Sequence, residues 1–281
     1  MCQNQIQYVS YLFYIFGDMS KRPVKVVIIS DVHLGFLGCK AKELNKYLKS
    51  IEPEMLIING DFIDIWQFRS YYFPKSHSKV LQRVFKFISQ GVKVYYLTGN
   101  HDEMLRRYSG MNLGNLELED KLILELDGKK HWIFHGDIFD VTMRGSRWIA
   151  KLGNTGYELI ILINKLVNTL RSLWGAENIN FTKALKDATK RGIKKINNYE
   201  LAAAEIAIDD GYDYVVNGHI HLPMIKEIKT DKGSVIYMNS GDWVENMSAL
   251  EYNNGEWSLV YYKDLKFENN YFKFDEITDL P

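Results

Sequence analysis

The stretch "VKVVIIS", residues 24–30, decides the fold: five of its seven residues are Val or Ile, and polar residues close it on both sides. An unbroken β-branched run of this length is a strand covered on both faces, the situation of a parallel sheet with helices packed on it. Two further runs of the kind follow, "MLIIN" (55–59) and "GVKVYYLTG" (91–99). Between them, "AKELNKYLKSI" (41–51) places Leu44, Leu48 and Ile51 at helical spacing, and "KVLQRVFKFIS" (79–89) repeats that pattern. Strands alternating with helices predict right-handed βαβ units.

Farther along, the period changes. "KLILEL" (121–126), an Asp127-Gly128 turn and "HWIFHGD" (131–137) read as an antiparallel pair. "YDYVVNGHIH" (212–221) resumes the strand pattern, and "MIKEIKT" (224–230) pairs with "SVIYMNSG" (234–241) across a "DKG" turn. "ALEYNNGEWSLVYY" (249–262) is a hairpin with Asn254-Gly255 at its turn. The expected fold is α/β, two packed mixed β-sheets flanked by helices. The expected domain spans 21–265, with 1–20 as an N-terminal extension and 266–281 as a tail.

Five polar clusters each follow a strand-like run: "SDVHLG" (Asp31, His33), "NGDFID" (Asp61), "GNHD" (Asn100, His101, Asp102), "HGD" (His135) and "GHIH" (His219, His221). Five of the seven histidines lie in these clusters; His77 and His131 do not. Ligands of α/β sheets collect beyond the carboxyl ends of strands, so side-by-side strands bring all five clusters to one edge. Asp31 with His33, and His219 with His221, are two apart, which in an extended backbone aims each pair to one side. Imidazole, carboxylate and amide donors suit Mn, Fe or Zn. Seven of them exceed one ion's needs, and two ions about 3.5–4 Å apart sharing a carboxylate fit the number. Asp61 is the expected bridge.

The series D-x-H, G-D, G-N-H-D, H-G-D and G-H-x-H resembles the calcineurin-like metallophosphoesterase superfamily. That resemblance implies a two-sheet sandwich flanked by helices. It implies one metal on Asp31, His33, Asp61 and His221, and a second on Asp61, Asn100, His135 and His219, with Mn the first choice and Fe or Zn the alternatives. His101 would lie beside the substrate phosphate as the catalytic histidine, with Asp102 fixing its tautomer. The reaction implied is attack of a metal-held hydroxide on phosphorus.

A narrower resemblance runs over residues 24–262. "GDFIDIW", "HGDIFD", "GHIHLP" and "NSGDWVEN" are similar to the bacterial UDP-2,3-diacylglucosamine pyrophosphohydrolases of lipid A synthesis, whose helical insertion holds acyl chains. Here residues 144–195 hold eleven Lys or Arg against three acidic residues, in a chain whose formal net charge is zero. "YELIILINKLVNTLRSLW" (157–174) carries a wide apolar stripe within this region. It is expected to form a helical cap over 144–200 that takes up acyl chains and meets phosphates or an anionic membrane. Arg144, Arg147 and Lys194 are candidate substrate contacts by position, and Asp242 or Trp243 of "NSGDW" would approach the site. The chain departs from the best-known enzymes of that family at His101, where they carry arginine. The alternative is therefore a soluble phosphoesterase acting on a nucleotide, cyclic nucleotide or phosphoprotein. A non-enzymatic scaffold of this fold, as in the retromer-type trafficking subunit, is disfavoured because every ligand position is filled.

Composition narrows the rest. Two cysteines without a CxxC fit a reducing cytoplasm and exclude a disulfide framework or cysteine-zinc site. The basic region is aliphatic rather than interleaved with aromatics, so no nucleic acid is expected. The expected location is cytoplasmic, with peripheral contact to the inner face of the membrane. The apolar run "IQYVSYLFYIF" (6–16) is too short for the ~20 residues a spanning helix needs. "MSKRPVKVVIIS", opening at Met19, reads like a natural start, so residues 1–18 are expected to be dispensable.

Overall fold

In a computed structural model, which describes residues 21–65, 72–142 and 199–267, the run containing Val24 forms β1 (Arg22–Ile29). It pairs in parallel with β2 (Ile51–Asn59), Ile28 opposite Ile57, and β2 pairs in parallel with β3 (Lys93–Leu97). The crossovers are α1 (Ala41–Lys49) and α2 (Lys75–Ser89). Beyond β3 lies a hairpin the sequence patterns did not reveal, β4 (Met111–Leu113) and β5 (Leu116–Glu119), with β5 parallel to β3. These strands are too short to carry a period.

The second sheet contains β6 (Lys121–Leu126), β7 (Lys129–Phe134), β8 (Tyr214–Asn217), β9 (Met224–Thr230) and β10 (Gly233–Asn239), in the order β6-β7-β8-β10-β9. A helix through residues 199–209, α3, precedes β8. The last hairpin, β11 (Ser248–Asn253) and β12 (Glu256–Tyr261), returns to the first sheet, where β11 lies antiparallel to β1 with Tyr252 opposite Val26. The first sheet thus reads β12-β11-β1-β2-β3-β5-β4. Two mixed sheets with helices outside is the α/β architecture expected.

Alternation along β1 shows why its apolar run is unbroken. Val27 and Ile29 face α1 and α2, packing with Leu44, Tyr47, Leu48, Val80 and Val84. Val26 and Ile28 face the other sheet, packing with Ile133, Val216 and Met238. On the far side of the second sheet, Trp132, Phe134 and Val215 meet Ala203, Ala204 and Ala207 of α3. Alanines let that helix approach closely, and covering all four faces removes the apolar area that would otherwise meet water. The predicted N-terminal extension, the cap at 144–200 but for residues 199 and 200, and the tail beyond Phe267 lie outside the described residues, as do Arg144, Arg147 and Lys194.

His131 joins the two sheets at a point remote from the five clusters. Its Nδ1 donates to the Lys129 carbonyl at 3.0 Å, and its Nε2 accepts the Trp257 indole N–H at 2.9 Å. Its ring stacks on Tyr214 with centroids 4.3 Å apart. Both nitrogens have roles only the neutral ring can fill, and burial holds its pKa below the usual 6.5. A depressed histidine pKa means the unfolded chain takes the proton first. His131 therefore contributes stability that is full above about pH 6.5 and is lost as pH falls below it. Denaturant titrations at pH 7.5 and 5.5 should show a smaller pH-dependent loss for His131→Gln than for the wild type. Equal losses would assign the pH dependence elsewhere.

Candidate active site

Strand ends supply the site, but not by strand alternation. β1 stops at Ile29 and β8 at Asn217, so the D-x-H and G-H-x-H pairs sit in loops beyond them. Asp31, His33, Asp61, His219 and His221 all adopt left-handed backbone conformations, with φ of 52°, 54°, 51°, 65° and 54°. The expectation of an extended i, i+2 geometry is thereby corrected. Each pair still converges, because two left-handed residues flank one ordinary residue and curl the loop around the cavity. Such conformations cost about 1–2 kcal/mol each for a side chain with a Cβ, and the surrounding hydrogen bonds hold them. Asp31 N donates to Gly60 O at 3.2 Å, His33 N to Asp61 O at 2.9 Å, and Leu34 N to Phe62 O at 2.8 Å. The two loops thus continue the β1–β2 pairing past its end. Trp243 N closes the other side by donating to Asp31 O at 3.1 Å.

Glycines admit the ligands. A Cβ on Gly60 would lie 2.3 Å from His135 Cγ, and one on Gly99 would lie 2.3 Å from Asp61 Oδ1. Both distances are far inside van der Waals contact, so these two positions leave room only for hydrogen.

The resulting cluster is buried and acidic at its centre. Donor atoms of Asp31, His33 and His221 lie within 4.8 Å of one another, and so do those of Asp61, His135 and His219. His33 Nε2 lies 4.0 Å from Asp61 Oδ2, which joins the two groups. Asp61 Oδ2 also lies 3.3 Å from His135 Nε2 and 4.0 Å from His101 Nε2. Asp61 Oδ1 accepts the His101 backbone N–H at 2.7 Å, which brings Asn100 to the same edge. His221 Nε2 is 3.1 Å from Asp31 Oδ1, while Asp31 Oδ2 accepts His219 N–H at 3.0 Å.

Electrostatics favour positive charge here. Burial alone would raise the Asp31 carboxyl, but His221 and His135 outweigh it and hold it at about 2. Asp61 is likewise held far below the carboxylate range, against its own burial, by His135, His33 and His101. Burial would lower His221, yet Asp31 raises it to about 9. His135 supplies the test of what that charge is for. Its Nδ1 meets the Asn59 carbonyl at 2.9 Å and so carries the proton. Its buried Nε2 lies 3.3 Å from Asp61 Oδ2, and Asp61 and Asp31 overcome burial to raise the ring's pKa well above 6.5. The two facing donor atoms thus call for a positive charge between them, a place that a metal ion can take from the proton. The His and Asp groups are compatible with a dimetal site.

Asp102 does not orient His101. Its Oδ1 accepts Gly99 N–H at 2.6 Å, and its Oδ2 accepts Phe62 N–H at 3.0 Å and the Tyr96 hydroxyl at 2.6 Å. These bonds stitch the G-N-H-D loop to the G-D loop, and burial leaves this carboxyl raised rather than lowered. The carboxylate beside His101 is Asp64, whose Oδ1 is 3.2 Å from His101 Nδ1. Asp64 Oδ2 is also 3.7 Å from His33 Nδ1, so one buried carboxylate faces both rings. Burial lowers the His101 pKa, and Asp64 and Asp61 more than reverse this, leaving it raised. The sequence carried a signal for Asp64: it stands in the quoted "GDFID", three residues past Asp61, where a tight loop returns a side chain to its starting side.

Other residues brace the site. His77, outside the five clusters, accepts the Gly35 N–H at 2.9 Å and ties the D-x-H loop to α2. Arg106, four residues past "GNHD", donates to Asp137 of "HGD" at 3.0 Å and to Asp120 at 3.2 Å, tying the turn after one cluster to another cluster. Trp243 is buried against Tyr47 rather than lining the cavity, and Asp242 caps its own turn through Val244 N–H at 2.7 Å.

The signature of the calcineurin-like phosphoesterases matches residues 24–223, a span that includes every one of the five clusters. The chain belongs to this family. A UDP-2,3-diacylglucosamine hydrolase of Aliivibrio fischeri is 22% identical to this phosphoesterase over 83% of the chain and 97% of its own length. One from Aeromonas salmonicida is 26% identical over 84% of the chain and 92% of its own. The solved structure of Yfce, a phosphoesterase from E. coli, aligns with a TM-score of 0.43 at 16% identity, covering 85% of this chain and 93% of that one. With its family and its hydrolase relatives, the protein is a metal-dependent phosphoester hydrolase. Among the described residues, no helix is long and apolar enough to cross a membrane.

Proposed function

We propose that the chain hydrolyses the pyrophosphate of a lipid-linked nucleotide, UDP-2,3-diacylglucosamine or a close analogue. The observation that carries this reading is the relatives' shared name over nearly their whole length, joined to a cluster in which Asp61 Oδ2 faces three imidazoles. Asp31, His33, Asp61 and His221 would hold one ion, and Asp61, Asn100, His135 and His219 the other; Mn is our choice. Bound ions of this kind lower the pKa of water and neutralise phosphoryl oxygens.

The chain's own residues supply the rest. His101, kept protonated by Asp64, donates to the departing or bridging phosphate oxygen. His33 and His101 are both oriented by Asp64, so their Nε2 atoms face inward. Arg144, Arg147 and Lys194 would contact the nucleotide or sugar phosphates from the 144–200 cap, which would hold the acyl chains. We place the enzyme in the cytoplasm, in peripheral contact with the inner face of the membrane.

Asp64→Asn, assayed at saturating metal, should lower kcat about 10- to 100-fold, the usual cost of losing a partner that orients site histidines, with KM unchanged. A variant with wild-type kcat would remove Asp64 from this role.

The substrate test compares UDP-2,3-diacylglucosamine, an unacylated UDP-sugar and an aryl phosphodiester, each with Mn²⁺ and detergent. UMP released rapidly from the acylated compound alone supports the lipid reading. Cleavage of the aryl ester alone overturns it in favour of the second reading, a soluble phosphoesterase acting on a nucleotide, cyclic nucleotide or phosphoprotein. His101, in the G-N-H-D form, is the observation that keeps that reading open.

A further inference from the structure

We propose that the groove between α1 and α2 is a second anion site, built to take a phosphate group, on the outer helical face of the seven-stranded sheet. It does not rest on the reading above, because it shares no residue with the His/Asp cluster. The groove, of about 260 Å³, is lined by Asn45, Lys49, Lys79, Gln82, Arg83 and Lys86. Four of the six are cations and none is acidic.

Position sets it apart from the active site. Both helices run back from the ligand-bearing ends of the strands. Lys49 ends α1 and Lys86 lies in the last turn of α2, while Asn45 and Gln82 sit at mid-helix and Lys79 nearer the start of α2. The groove therefore runs along the outer helical face from mid-helix toward the end of the sheet opposite the clusters.

Charge along these helices is one-sided. Together they carry Lys42, Lys46, Lys49, Lys75, Lys79, Arg83 and Lys86 against one carboxylate, Glu43, in a chain that is neutral overall. Glu43 does not line the groove; its charge acts on Cys39 and Tyr262. Lys79, Arg83 and Lys86 follow one another at i+4 and i+3, where like charges oppose helix formation. Among the described residues, none of the groove's four cations forms an ion pair.

Arg83 is the focus. Its Nε is shielded from water and has no hydrogen-bond partner among the described residues. Burial depresses the guanidinium pKa, with no neighbouring acid to restore it. A guanidinium whose Nε–H is shielded and unused while the rest reaches solvent is placed to bind an oxyanion through parallel N–H bonds. Lysines at the rim add charge without fixed direction. Phe85, exposed on the same helix though not lining the groove, offers a membrane an apolar contact that free phosphate would not use.

The test uses the full chain and the Arg83→Gln/Lys86→Gln double variant, with folding checked by circular dichroism. One arm measures sedimentation with phosphatidylcholine vesicles containing phosphatidylglycerol. The other follows the Arg83 Nε–H NMR signal as inorganic phosphate is added. Each cation near an anionic surface is worth roughly fivefold in binding, so the double variant should bind the vesicles about 25-fold more weakly. Hydrolysis, in detergent, of whichever of the three substrates above the wild type cleaves should be unchanged. That result supports the site with a lipid headgroup as its source. A saturable shift of the Arg83 signal without vesicle binding supports it with free phosphate as the source. No response in either arm, or equal vesicle binding by both proteins, overturns the proposal. So would a parallel loss of that hydrolysis, which would make the groove part of the active site.

Discussion

Asp61→Asn should bring hydrolysis of any substrate close to background, a loss of roughly four orders of magnitude, or about 5.5 kcal/mol in the barrier. Few substitutions change so little shape for so large an effect. Asn keeps the volume of the side chain and an oxygen able to accept the His101 backbone N–H, so the loop should persist. What disappears is the charge that His33, His101 and His135 face in common. Asp61 is ionised throughout the working range because its carboxyl is held far below the usual value. Elemental analysis should find two ions per chain in the wild type and at most one in the purified variant. A variant that retained both ions and more than a tenth of the rate would show that Asp61 is not the shared ligand.

His101→Ala should separate catalysis from metal binding. Loss of a proton donor at the reacting group costs about 10²- to 10⁴-fold in rate. His101 reaches the cluster through its ring, and Asp61 contacts its backbone N–H, a bond alanine can still make. Bound metal should therefore stay at the wild-type level while kcat falls. If the ions were lost together with activity, His101 would be a ligand and not a donor to substrate.

Most of the fold was legible because β1 to β3 bury both faces, and a strand so placed can hardly be written except as Val, Ile, Leu and Tyr. The β4–β5 hairpin was not legible, since β4 has three residues and all are exposed. Residue types at the site were legible from their order along the chain; the geometry was not. Strand alternation is a rule for extended backbone, and Asp31, His33, His219 and His221 are not extended. The exchange of Asp102 for Asp64 has the same origin. Adjacency in sequence suggested that Asp102 serves His101, but a tight loop turns neighbouring side chains apart and returns the third residue of another loop. His77 and Arg106 escaped because each acts across a gap in sequence, through one hydrogen-bonded side chain that leaves no period.

The pairing of β1 with β11 has a consequence for how the enzyme is made. Synthesis delivers β1, β2 and β3 well over a hundred residues before Tyr252 emerges to lie opposite Val26. Until then β1 is an open edge, flat and rich in valine, the kind of strand that recruits other chains. His219, His221 and the Trp243 N–H that closes on Asp31 O are also still to come. A nascent chain stalled before residue 219 would thus own the first ligands and a sticky margin, but neither His219 nor His221 to complete the cluster. The catalytic centre and the seal on the sheet arrive in the same late stretch of translation, so a ribosome-bound chain should gain metal affinity and lose its tendency to aggregate together.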